Sequence, residues 1–204
     1  MISSLKEDAI GVAPFPRMNI QIRKAAMRDI GPLLTLINGH AAKGIMLPRT
    51  EFEMSENMRD FSVAYAGDDL VGCGALHFYS PIVGEIRSLA VADSVKTQGI
   101  GRLMVDALIH EARDFALAAV FAFTYVPVFF GKVGFAEVER GELPLKAWKD
   151  CLRCPKFQCC DEIAVLRILN SARYEKPRPE QFSNTPFQIE GDTVVLLPTI
   201  KPCD

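Results

Sequence analysis

One stretch constrains the fold more than any other: "GEIRSLAV" (84–91), a loop, and then "KTQGIGRLM" (96–104), in which Gly99 and Gly101 stand one residue apart. Paired glycines have two readings. They make a tight bend, or they bare main-chain N–H groups to an anion at a helix N-terminus. Beyond them Leu103, Met104, Ala107, Leu108, Ala112 and Phe115 recur at helical spacing, with Arg102, Asp106, His110, Arg113 and Asp114 on the other side. That pattern is an amphipathic helix. A buried strand feeding it through a glycine loop puts N–H groups at the positive end of a helix dipole, where backbone alone can bind a pyrophosphate. The loop is not of the Walker type, because no Gly-Lys-Ser/Thr follows. Nor is it a dinucleotide fingerprint, which needs a third glycine and an acidic residue beyond the next strand.

The flanking segments supply an α/β framework. "NIQIRKA" (19–25) alternates as a strand, and a helix opened by Asp29 and closed by Gly44 carries Leu33, Leu34, Leu36 and Ile37 on its apolar face. "FEMSENMRDF" reads as a shorter helix, and 62–79 as two strands turning at Gly67-Asp68-Asp69. After the central helix come a strand at 118–125, a short helix with Pro127 in its first turn, and strands at 135–139 and 162–169. The expected order is β-α-α-β-β-β-α-β-α-β-β, a central mixed sheet flanked by helices. Residues 1–18 read as an irregular leader, 19–170 as the domain with a cysteine-rich insertion at 141–162, and 171–204 as a linker leading to a hairpin at 187–197.

Composition narrows the partners. The 204 residues are 49% hydrophobic, enough for one full core, and the net charge of −2 recommends neither nucleic acid nor an anionic membrane. No apolar run approaches the ~18 residues that span a bilayer. The N-terminal stretch lacks a basic region followed by an apolar block, so the expected compartment is cytoplasmic, with mostly reduced cysteines.

The strand, loop and helix resemble the GNAT N-acetyltransferase superfamily. Its acetyl-CoA loop reads Arg/Gln-x-x-Gly-x-Gly/Ala after a strand ending in Leu-x-Val; "SLAV" and "KTQGIG" stand here, with Lys96 in place of Arg or Gln. The superfamily's "FYEKLGF" appears as "FFGKVGF" (129–135). The resemblance covers about 19–170 and implies that Leu89, Ala90, Val91, Lys96, Thr97, Gln98, Gly99, Ile100, Gly101 and Arg102 bind acetyl-CoA as cosubstrate. "MLPRTEFE", "VGCGALHF", "LPLKAWKDCLRCPKF" and "CDEIAV" are further similar to the short, stand-alone bacterial N-acetylglutamate synthases. That implies acetyl transfer to the α-amine of glutamate, the first step of arginine synthesis, and as the superfamily's common state a homodimer. Another amino acid or a protein amine is the alternative acceptor, and a non-catalytic acetyl-CoA-binding regulator the alternative of another class.

The chemistry needs a base for the acceptor ammonium, a donor to the acetyl oxygen and a proton source for the leaving thiolate. The resemblance places the base at Glu85, against the reading of a solvated strand end, and the oxygen donor at a main-chain N–H near Val91. The usual acid is the tyrosine of "FYEKLGF", replaced by Phe130; Tyr125 is the substitute, or else a wall of the acceptor pocket. Arg49 matches the recognition arginine for a carboxylate. Strand parity puts Arg87, a second candidate, on one face with Glu85, Leu89 and Val91. Cys151, Cys154, Cys159 and Cys160 crowd into ten residues. Cys151, Cys154 and Cys160 are candidate metal ligands, but a thiol-rich packed loop explains the cluster better, and it serves as a candidate lid on the acceptor site. Trp148 and Phe157 are expected to anchor the insertion. The three histidines, His40, His77 and His110, are too scattered for a metal site.

Overall fold

The structure, a computed structural model, describes residues 19–140, 143, 154, 156 and 159–175. The leader, the 187–197 hairpin, Cys151, Trp148 and Phe157 lie outside the described residues. The elements follow the expected order: β1 (Ile20–Lys24), α1 (Ile30–Ala41), α2 (Glu51–Asn57), β2 (Phe61–Ala66), β3 (Asp69–Phe78), β4 (Val83–Val91), α3 (Ile100–Asp114), β5 (Ala119–Thr124), α4 (Pro127–Lys132), β6 (Ala136–Glu137) and β7 (Ile163–Ile168). Among the described residues the strands form one sheet in the order β1-β2-β3-β4-β5-β7-β6. β4 and β5 run parallel, and every other neighbouring pair is antiparallel.

Helices cover both faces. On one, Val105, Leu108, Ile109 and Ala112 of α3 pack with Phe130 and Phe135 on Leu76, Ile86, Val120 and Val165, while Ile100 and Met104 pack on Ala64 and Val71. On the other, Leu33 and Ile37 of α1 and Met54 of α2 close over Val63, Cys73, Ala75 and Ala90. The buried stripe of α3 differs from the expected one: Leu103 and Phe115 are exposed, and Ile100, Val105 and Ile109 take their places. The strand expected at 135–139 shrinks to two residues.

Two local devices matter for the site. Thr50 caps α2 by accepting the Glu53 N–H at 3.2 Å while Glu53 accepts the Thr50 N–H at 2.8 Å, a capping box that sets the helix start just after Arg49. In β4 the pairing to β3 slips by one residue between Ala90 and Arg87, and Ser88 adopts φ +52. This β-bulge overturns the parity expectation. Glu85 and Arg87 do share a face, that of α1 and α2, but Leu89 and Val91 turn to the α3 face, where they pack with Ile100 and Met104.

Candidate active site

β4 and β5 pair at three positions, ending at Glu85 opposite Phe121. Beyond them the strands part while each continues, opening a gap in mid-sheet. Ala92 N–H donates to Val71 O at 2.9 Å, so the next pair toward the strand middle, Gly72 and Val91, is a non-hydrogen-bonded one. The N–H and C=O of Val91 therefore face the gap rather than β3. The carbonyl accepts from His40 Nε2 at 3.0 Å, which assigns the ring proton to that nitrogen.

The glycine loop lies at one end of this gap. A 3-10 turn, Asp93–Val95, leads to Thr97 at φ +69 and Gly99 at φ +83. Gly99 is the N-cap of α3 and brings no side-chain cap, and the first backbone bond is Leu103 N–H to Gly99 O at 3.1 Å. The N–H groups of Ile100, Gly101 and Arg102 thus have no intrahelical acceptor and sit at the positive helix end. Gly101 has a packing reason as well: a Cβ there would stand 3.3 Å from the Phe129 ring. Gly99 thus makes the tight bend, and Gly101 allows the close approach of α4. Lys96 is drawn aside to Asp93 at 2.5 Å, and Lys43 binds the same carboxylate. The two ammonium groups hold Asp93 well below the usual carboxylate range.

The candidate acceptor residues Glu85 and Arg87 lie on the α1–α2 face. Glu85 is only 2% exposed, and His77 of β3 is its register partner. Arg87 donates from Nη2 to Asn57 Oδ1 at 3.1 Å and to Asp60 Oδ2 at 3.4 Å, while His77 Nδ1 lies 2.6 Å from that same Asp60 oxygen. Asn38 of α1 clamps the backbone of Arg49 in both directions, accepting its N–H at 2.9 Å and donating to its C=O at 3.0 Å. This holds the recognition candidate at the mouth of α2.

Tyr125 directly follows β5, four residues past Phe121, the last β5 residue paired to β4. Burial pushes the Tyr125 phenol above its ordinary value, opposed by Lys156, whose Nζ sits 4.7 Å over the ring. Phe130 is a core residue, edge-on to Phe129 and Phe135, and does no chemistry.

The described part of the insertion approaches this end of β5. Lys156 pairs with Asp161 at 3.0 Å, and Arg140 donates to the Cys160 carbonyl at 2.9 Å. Cys154 and Cys160 are free thiols and Cys159 is disulfide-bonded. Among the described residues, no group of three or more His, Cys, Asp or Glu side chains is placed to share a metal ion.

Asp60 and Asn57 were not among the expected site residues, and His77 was considered only as a metal ligand. A signal existed. Ser80 Oγ accepts from the Ile82 and Val83 N–H groups, a tight turn between β3 and β4, and counting outward from it aligns His77 with Glu85.

A splayed parallel pair with an uncapped glycine helix start on one side and a buried carboxylate on the other defines an acyl-CoA-dependent acetyltransferase. The model of the acetyltransferase (GNAT) family matches residues 38–137, and the chain belongs to that family. It is 37% identical over 154 residues to an uncharacterised N-acetyltransferase of Chlorobaculum tepidum, covering 76% of this chain and 99% of that one. It is also 37% identical over 121 residues to an amino-acid acetyltransferase of Mycobacterium tuberculosis, covering 58% of this chain and 69% of the relative. Among solved structures, N-acetylglutamate synthase from Neisseria gonorrhoeae, in complex with coenzyme A and N-acetyl-glutamate, superposes with a TM-score of 0.67. Its identity to this chain is 27%, over 74% of this chain and 35% of that one. No helix among the described residues is long and apolar enough to cross a membrane.

Proposed function

We propose that the chain moves acetyl from acetyl-CoA to the α-amine of glutamate, the opening reaction of arginine synthesis. The observation that carries this is the parting of β4 and β5 directly after Glu85, which sets a buried carboxylate at the junction of two differently equipped spaces. Acetyl-CoA, when bound, supplies the acyl group as a thioester. Its pyrophosphate suits the bare N–H groups of Ile100, Gly101 and Arg102, and the Val91 N–H offers a donor inside the gap. Leu89, Ala90, Lys96, Thr97 and Gln98 complete that wall. Glu85 takes the acceptor's ammonium proton, directly or through one water, and Tyr125 holds a proton for the thiolate. Arg49 pairs with a carboxylate.

Arg87 already shares Asp60 with His77, so part of its charge is offset before any ligand arrives. This favours, as a second reading, an acceptor with one carboxylate and a neutral side chain, of which glutamine is the nearest. Purified protein incubated with acetyl-CoA and glutamate, glutamine or lysine, with products identified by mass spectrometry, separates the two. N-acetylglutamate is expected. Glu85→Gln is expected to lower kcat by about 100-fold or more, and Arg49→Ala to raise KM for the amino acid while leaving that for acetyl-CoA in place. Product from glutamine or lysine alone would remove the glutamate assignment.

A further inference from the structure

A base that is 2% exposed must pass on the proton it takes, or it can act only once. Glu85 lies directly across β3–β4 from His77, in a hydrogen-bonded pair, so both side chains project from the same face about 5.5 Å apart at their bases. His77 is 33% exposed, intermediate between Glu85 and solvent. Its Nδ1–H donates to Asp60 Oδ2 at 2.6 Å, which fixes the tautomer and leaves Nε2 as an acceptor. Asp60 is held in turn by Arg87 Nη2 at 3.4 Å and closes the 3-10 turn Met58–Asp60 that follows α2. The Tyr79 ring stands edge-on to the imidazole at 5.4 Å. The groups facing His77 are therefore Asp60, Arg87, Glu85 and Tyr79.

We propose that His77, oriented by Asp60, is the second proton carrier of the acceptor site. Glu85 removes the ammonium proton, breaking N–H and forming O–H. That O–H then breaks as N–H forms on His77 Nε2, directly or through one water. The imidazolium releases the proton to solvent and both groups return to their starting charge. The inference rests on Glu85 being the base.

The test uses the full chain and whichever amine of the panel it turns over. His77→Gln is expected to lower kcat about 100-fold, the low end for a positioned acid–base group, with both KM values close to wild type and activity partly restored by added imidazole. Asp60→Asn is expected to lower kcat and shift its pH profile. Wild-type kcat in His77→Gln, or a loss that imidazole does not restore, overturns the proposal. A second measurement needs no turnover: the His77 ring is titrated by NMR in the wild type and in Glu85→Gln. A displaced titration curve in the variant is expected, because two groups that exchange a proton titrate together. An unchanged titration overturns the relay. If the relay signals appear with an amine other than glutamate, the relay stands and the glutamate assignment fails.

Discussion

Asp29 shows how one buried charge ties distant segments together. Its side chain is 2% exposed and accepts a bidentate pair from Arg23 at 2.7 and 2.8 Å, the Ala26 N–H at 2.7 Å and the Tyr65 hydroxyl at 2.9 Å. It stands at the N-cap of α1 but makes no side-chain cap, spending its oxygens on β1 and β2 instead. Arg23 above all, together with the two further donors, holds the carboxyl well below the usual carboxylate range against the opposing effect of burial. The unfolded chain then binds the proton more readily than the folded one. The resulting stability is fully present above about pH 4 and drains as pH falls further. Asp29→Asn is expected to cost about 2–4 kcal/mol at pH 7. Urea denaturation should show the gap between variant and wild type narrowing from pH 5 to pH 3. A gap independent of pH would mean that the charge does not carry the effect.

At the scale of elements, the start of α3 is left-handed at Gly99 and closely packed at Gly101. An alanine at Gly99 would hold φ +83 at a cost of about 1–2 kcal/mol. At Gly101 it would press on the Phe129 ring of α4. Gly101→Ala is expected to lower Tm by crowding the Phe129 ring and, if the proposed CoA site is right, to weaken CoA binding by calorimetry as the helix start shifts. Gly99→Ala should lower both. Unchanged CoA affinity in both variants would move the pyrophosphate elsewhere. The bulge at Ser88 is the other decisive element-level feature. It turns Leu89 and Val91 toward α3 while leaving Glu85 and Arg87 toward α2, so one strand serves both sides of the sheet.

For the whole molecule, the opening between β4 and β5 is a cleft in the middle of the sheet rather than at its edge. Backbone groups there, such as the Val91 N–H, face the gap and are the donors that the proposed CoA site would use. Saturating that cleft should stabilise the fold by mass action. CoA at about 100 times its Kd is expected to add about 2.7 kcal/mol to the unfolding free energy. Urea titrations with and without CoA measure this directly, and no shift in midpoint would mean that the cleft does not take CoA.

Hydrophobic periodicity and the glycine loop determined the order and type of the elements, because a strand or helix needs only local spacing to declare itself. "SLAV" before "KTQGIG" was enough to mark the helix start, because Gly99 and Gly101 act through backbone geometry written in the residues themselves. Glu85 and Arg49 were legible as candidates only through the resemblance carried by "GEIRSLAV" and "MLPRTEFE". What local sequence does not carry is which strands meet and in what register. The one-residue slip at Ser88, the buried face of α3 and the alignment of His77 with Glu85 were decided only by tertiary pairing. Asp29 reads as a helix cap for the same reason: Arg23 and Tyr65, which claim its oxygens, reach it only once β1 and β2 lie side by side.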